Sequence, residues 1–203
     1  MELAEVTLSQ RRIEALADGV FAVVMTLLVL DLHVPELARH ASDAEILDGL
    51  RSVLPPLGSF VISFALAAAF WFCHHLSHHF IATINGKLLG INLLFLFFVC
   101  LLPFTTSMLG SFSLDATTPI VLYFANIFVL GAILLVHDAY ARRHGFQVDD
   151  REQLGAIVQL RMRIAGLTIG ALAGGTTAVF LGAQWSTLAF IACVVITRVR
   201  SRR

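Results

Sequence analysis

Charge is scarce in this chain. Of 203 residues, 14 are Lys or Arg and 14 are Asp or Glu, 14% together, against 58% hydrophobic, and the mean hydropathy is +0.83. A soluble domain needs more charge than this to cover its surface, so the composition excludes one and defines a polytopic membrane protein. Cysteine is scarce too: Cys73, Cys100 and Cys193 are odd in number and all fall in apolar stretches. That pattern excludes a disulfide framework and reads as small buried hydrophobes. There is no phosphate-binding glycine loop, no serine–histidine–acid constellation and no nucleic-acid module, so neither hydrolytic chemistry, a resident cofactor nor a nucleic-acid partner is expected. No regular arginine repeat crosses an apolar stretch, which removes a voltage sensor. No motif relates the first half to the second, which weighs against an inverted-repeat transporter.

What is there is six apolar stretches, at roughly 13–32, 53–76, 87–110, 118–140, 160–182 and 184–198. Each reads as a membrane-crossing helix, the last short enough to be tilted or partly interfacial. Short loops join them into one membrane domain over 1–203. An even number of spans puts both termini on one side. That side receives Arg11, Arg12, Lys87, Arg142, Arg143, Arg151, Arg161, Arg163, Arg198, Arg200, Arg202 and Arg203, and the other only Arg39 and Arg51. By the positive-inside rule both termini are cytoplasmic in a multi-pass protein of the cell membrane. The first span follows two arginines as a signal peptide would, but Leu32-His33-Val34-Pro35 offers no small-residue cleavage site, so it reads as retained.

The first span, Arg12 to Pro35, organises the rest. Only Thr26 interrupts the apolar run from Gly19 to Leu30, while Glu14, Asp18 and Asp31 flank it. At 100° per residue two faces separate. Arg12, Leu16, Gly19, Val23, Thr26, Leu27 and Leu30 share one; Glu14, Asp18, Ala22, Met25 and Val29 share the other. An acid in a membrane helix should avoid lipid, so the Asp18 face is expected to pack against the chain's other helices. The Val23–Leu27–Leu30 face is then left for lipid, a partner subunit or a pore.

Elsewhere the polar residues are few. The loop from His33 to Ser52 carries Glu36, Asp43, Glu45 and Asp48 against Arg39 and Arg51; it reads as an ordinary solvated loop or as an acidic vestibule that gathers cations. The second span begins after Pro55-Pro56 and ends in FWFCHHLSHHF, with Trp71 placed as an interfacial anchor. His75-x-x-His78-His79 matches one histidine box of membrane diiron enzymes. Such enzymes need several boxes, and His33, His40, His137 and His144 are isolated. The contrasting expectation is a buried His74 paired with an acid and His78 and His79 at the cytoplasmic surface. Pro103 should kink the third span, which also holds Asn92, with Thr105, Thr106 and Ser107 satisfying the freed backbone groups. The fourth carries Asn126, His137, Asp138 and Tyr140, and the following loop, with Asp149, Asp150 and Glu152, reads as solvated. Gly166, Gly170 and Gly174 form a small-residue ridge on the fifth, for packing within the chain or between subunits. Arg161 and Arg163 are expected to snorkel to the interface. The closing TRVRSRR suits an anchor beside anionic lipid.

Arg12-x-x-x-Leu16-Ala17-Asp18-Gly19-Val20-Phe21-Ala22, followed by Thr26-Leu27-Leu28-Val29-Leu30, resembles the first-helix signature of the prokaryotic transmembrane protein 175 family of potassium channels. Trp71-x-x-His74-His75, Asn92-Leu93-Leu94-Phe95-Leu96 and Pro103-Phe104 also resemble that family, so the likeness covers roughly residues 11 to 108. The resemblance implies an all-α membrane protein with six transmembrane helices per subunit. It implies a homotetramer whose first helices line one central pore. It places the constriction on Val23, Leu27 and Leu30, with the Thr26 hydroxyl as a nearby polar ring. It sets Arg12, Asp18, Gly19, Trp71 and His74 in a structural network. Leu16-Ala17-Asp18 stands where the family usually shows Phe-Ser-Asp, so a serine hydroxyl is lost from that network. Val23 stands where isoleucine is usual, which widens that ring by one methylene per subunit.

The expected function is therefore passive conduction of monovalent cations, potassium foremost, through a hydrophobic neck that gates by dewetting. Asp18 is expected to pair with Arg12 or His74 and, about 140° from Val23 on the wheel, to stay out of the ion's path. Three rivals make different demands. A proton-coupled secondary transporter would use Asp18 and His74, and a membrane metalloenzyme would use the His74–His79 cluster. The third, a purely structural packing protein, would not need a first helix so polarised into two faces.

Overall fold

The computed structural model of the chain describes residues 10–36, 38, 40–112, 116–147 and 154–200. Arg39, Asp149, Asp150, Arg151, Glu152, Arg202 and Arg203 of the sequence reading lie outside the described residues. Helix α1 (Gln10–Leu27) tightens into a 3₁₀ turn over Leu28–Asp31, and Leu32 turns extended ahead of Pro35. A short α2 (Asp43–Ser52) occupies the loop read as irregular. It starts with a capping box, in which Ser42 accepts from the Glu45 amide and Glu45 accepts from the Ser42 amide. The Ser42 amide and hydroxyl hold the Glu45 carboxyl below its ordinary range. Helix α3 (Leu54–His79) carries Pro55 and Pro56 in its first turn, where a missing amide proton costs nothing.

Helices α4 (Gly86–Cys100) and α5 (Leu102–Ser111) are two segments of one span, offset at Leu101. Pro103 causes the break, because it has no amide proton for the Val99 carbonyl. The Leu101 amide takes that role, reaching both Phe98 and Val99 carbonyls. Thr105 and Thr106, expected to serve the freed group, donate instead to the Leu102 carbonyl, at 3.1 and 2.8 Å. Helix α6 (Thr117–Arg143), α7 (Leu154–Phe180) and α8 (Ser186–Arg200) complete the chain, with Gly182 in the left-handed region (φ 106°) turning α7 into α8.

Among the described residues, five stretches are long and apolar enough to cross a membrane: Gln10–Asp31, Leu54–His79, Gly86–Ser111, Thr117–Arg143 and Gly155–Phe180. The sixth expected span corresponds to α8, which has 15 residues. At 1.5 Å per residue that is about 22 Å, short of a bilayer core of about 30 Å.

Helix α6 sits centrally. It buries Ile127, Leu130 and Leu134 on one side, and Tyr123 and Phe124 toward α3 and α8. The glycine ridge of α7 works inside the chain. A Cβ at Gly166 would strike Thr197 of α8, one at Gly170 would meet Phe190 of α8 at 3.0 Å, and one at Gly174 would meet the Phe124 ring of α6 at 2.8 Å. Gly131 of α6 answers with the same closeness to Thr168. These missing side chains let three backbones approach where lipid gives no hydrophobic push. Cys73 is buried as expected and Cys193 half-buried, but Cys100 is exposed.

One end of the bundle gathers the start of α1, the end of α3 and residues 144–147 after α6. Gln10 donates to the His78 carbonyl at 2.8 Å, and the Ala82 amide to the Phe146 carbonyl at 2.7 Å. Asp138 is buried there by Arg161, whose Nε donates to Oδ2 at 2.7 Å, and by Gln147, whose Nε2 donates to Oδ1 at 2.7 Å. Arg161 was expected to snorkel; a buried carboxylate within reach holds it in the bundle instead, and its second arm reaches Gln147 at 3.1 Å.

Candidate permeation site

Helix α1 meets the rest of the chain through Ile13, Ala17, Phe21, Val24 and Leu28, each at most 4% exposed. This stripe belongs to neither face singled out by the sequence. Phe21 carries most of it, with its ring 6.0 Å from Phe95 and 6.3 Å from the His74 imidazole. The Asp18 face meets another helix of the chain, as expected, but from the flank: of its residues the half-buried Met25 packs against the core. Asp18 is exposed on the flank of α1, where its Oδ1 accepts from the Trp71 indole nitrogen at 2.8 Å. It bonds to neither Arg12 nor His74. The reason is geometric, because Asp18 lies about 100° from the Phe21 stripe and reaches sideways to α3. Trp71 is thus a partner for the acid, and its other side stacks on His75, centroids 5.9 Å apart.

The remaining face of α1 makes no contact with the core. Val23 is 56% exposed, Leu27 42% and Leu30 67%, and Thr26 is exposed between them. Leu30 stands on the 3₁₀ turn, which advances it relative to an α-helical position. The Thr26 hydroxyl donates to the Val23 carbonyl at 2.7 Å. Its one proton is used inside the helix, so the oxygen can offer only lone pairs outward. Gly19 lies open on this face, with nothing within 4 Å of where a Cβ would stand, and Arg12 is exposed at the helix start.

The histidines divide differently from the sequence reading. His74 is buried, but its partner is an amide: Nε2–H donates to Asn92 Oδ1 at 2.7 Å, and the ring stacks on Phe95 at 5.2 Å. His78, expected at the surface, is 1% exposed. It lies against His74 (centroids 4.3 Å apart) and against His137 of α6 (5.1 Å). Neither ring nitrogen of His78 or His137 has a hydrogen-bond partner among the described residues. His75 and His79 are exposed. Among the described residues no three His, Cys, Asp or Glu side chains gather as a ligand set. Sequence reasoning missed His137 as a neighbour of the cluster, the Asn92 partnership and the Phe21 stripe. Phe21 was the available signal, as the only aromatic residue on an otherwise aliphatic helix.

Two of the four loop acids have local partners. Glu45 closes the cap of α2, and Asp48 pairs with Arg51 at 3.2 Å, both exposed. Near α2 a cavity of about 370 Å³ lies between the end of the α1 span, the start of α3 and the end of α5, lined by Asp31, His33, Glu36, Pro56, Ser107 and Gly110 among others.

The fold and this face define a class: a multi-pass α-helical membrane protein whose first helix is anchored on one side and free on the other. Residues 12–103 match the family described as "Endosomal/lysosomal potassium channel TMEM175". A potassium channel of Chamaesiphon minutus is 32% identical over 175 residues, covering 84% of this chain and 86% of that protein. One from a Chryseobacterium species is 34% identical over 116 residues, 57% of this chain and 56% of that protein. The crystal structure of the lysosomal potassium-selective channel TMEM175 homolog from Chamaesiphon minutus superposes with a TM-score of 0.72 at 24% identity, covering 96% of this chain and 98% of that one. The chain belongs to the TMEM175 family. That family is one of ion channels rather than enzymes.

Proposed function

We propose that this chain is the subunit of a potassium-permeable cation channel in the cell membrane. Four copies place α1 around one axis, α8 serves as a sixth, tilted span, and both termini are cytoplasmic. One observation carries the reading. Helix α1 spends its Phe21 stripe on the chain's own core and leaves Val23, Thr26, Leu27 and Leu30 exposed about 135° away. In a homotetramer that face forms stacked apolar rings with a ring of Thr26 oxygens among them. The rings narrow the path and gate it by dewetting, and the oxygens offer acceptors to a cation that sheds part of its water.

The names of the relatives support potassium as the permeant ion. The carrier alternative depends on a direct Asp18–His74 relay, and the two residues take different partners, Trp71 and Asn92. The test is the reversal potential of the purified protein in a planar bilayer, with potassium on one side and sodium on the other. Reversal toward the potassium equilibrium potential supports the reading. Reversal near zero would keep a channel without potassium preference, and no current from folded, oligomeric protein would sink it.

A further inference from the structure

At the end of the bundle where α1 begins and α8 ends, α3, α7 and α8 enclose a crevice of about 450 Å³. Its walls include Ala65, Ala69, Phe72, Leu167, Val194 and Thr197, whose hydroxyl is spent on the α8 backbone, and two guanidinium-bearing residues, Arg163 and Arg198, stand on it. Arg163 lies nine residues inside α7 and is half-buried. Its Cζ sits 5.7 Å from the centre of the Phe72 ring, and it forms no ion pair with a described carboxylate. Arg161, two residues earlier, has Asp138; Arg163 has an aromatic face and an apolar hollow. A guanidinium held this far into a membrane-spanning helix is costly without an anion, and its planar fork matches a phosphate.

We infer that this crevice is a binding site for one anionic phospholipid per subunit, its phosphate held by Arg163 and Arg198 and one acyl chain lying in the hollow between α3 and α8. Charge and shape both select that occupant. Inside a bilayer the hollow offers hydrocarbon-lined volume that water would fill poorly. Basic pockets between membrane helices on the arginine-rich side attract anionic head groups. The small residues Ala65 and Ala69 hold the volume open, and the Phe72 ring fixes Arg163 at its rim.

The experiment is native mass spectrometry of the purified, delipidated channel titrated with phosphatidylglycerol and, separately, with phosphatidylcholine of the same acyl chains. The readout is lipid retention, which needs no current and so stands apart from the conduction test. Phosphatidylglycerol should bind at one copy per subunit, at least tenfold tighter than phosphatidylcholine. Arg163→Gln should abolish that preference, while Arg142→Gln, on the exposed end of α6, should leave it within twofold. Ala65→Phe keeps both arginines and fills the hollow; it too should lose the lipid, and it decides the matter if Arg163→Gln does not fold. Equal retention of the two lipids, unchanged retention in both crevice variants, or equal loss in Arg142→Gln would overturn the site. So would displacement of the lipid by millimolar glycerol phosphate, which would make it a site for a free phosphate ester. A crevice covered by a neighbouring subunit would bind neither lipid and would overturn it as well.

Discussion

Phe21→Ala tests whether α1 is held by the stripe identified above. Phe21 is 1% exposed and touches rings on two other helices, Phe95 on α4 and His74 on α3. In a soluble core such a truncation costs about 3–5 kcal/mol, the sum of lost transfer free energy and a cavity term. Here the transfer part nearly vanishes, because a detached helix would rest in lipid as apolar as the core. The cavity part remains, about 1–3 kcal/mol. For a chain of this size each kcal/mol moves a melting midpoint by about 2–4 °C, so the variant should melt about 2–12 °C lower. The assay is size-exclusion recovery of the detergent-solubilised oligomer after heating. Leu30→Ala is the control, since Leu30 is 67% exposed and touches no core; it should melt within about 2 °C of the parent. Equal losses in the two variants, or none in Phe21→Ala, would refute this account of how α1 is fastened.

Three further outcomes follow from the same geometry. Leu27→Ala widens the proposed neck, so bilayer recordings should show larger current and a smaller potassium-over-sodium preference; an unchanged channel with normal assembly removes Leu27 from the pore. Asp138→Ala leaves the Arg161 guanidinium, 27% exposed, without its carboxylate. It should cost about 2–3 kcal/mol, somewhat below a fully buried pair, and adding Arg161→Met should recover part of the lost thermal stability. Gly174→Leu drives a side chain into the Phe124 ring and should lower the melting midpoint by the equivalent of about 1–3 kcal/mol of overpacking, whereas Gly155→Leu, in open space, should not.

The apolar runs were legible because a membrane demands length and apolarity of every span, and five of the six stretches became long helices at close to the expected bounds. Helix orientation was less legible. In α1 the acid avoids lipid against a neighbouring helix, as expected, but its partner is not Arg12 or His74: Asp18 needed only one donor, and Trp71 supplied it from the side. A helix apolar all round carries no contrast to mark its packed face, so the Phe21 stripe hid between the two faces drawn on it. Polar partners across the sequence were hidden for another reason. His74 is 18 residues from Asn92, and Asp138 is 23 from Arg161, separations that no helical periodicity encodes. The amphipathic α2 was legible in principle, since Ser42 and Glu45 spell a capping box.

The polar residues inside the bundle show how such a chain holds together where burying apolar surface gains little. Each seam ties a different set of helices. Ser63, Thr106 and Tyr123 link α3, α5 and α6 through oxygens 2.8 and 3.0 Å apart. Asp138, Gln147 and Arg161 tie the end of α6 to the start of α7. The glycines of α7 bring α6 and α8 to backbone distance. Helix α1 stands outside this scheme. Among the described residues its polar ties to the rest of the chain are Gln10 to the His78 carbonyl and Asp18 to Trp71, both to α3, and the rest of its hold there is apolar contact. Helix–helix hydrogen bonds in membranes average only about 0.6 kcal/mol, so two of them restrain α1 weakly along its length. The register of the Val23–Leu30 face therefore rests chiefly on how Phe21 seats between Phe95 and His74, and the Asn92 bond that fixes His74 bears on α1 through that seat.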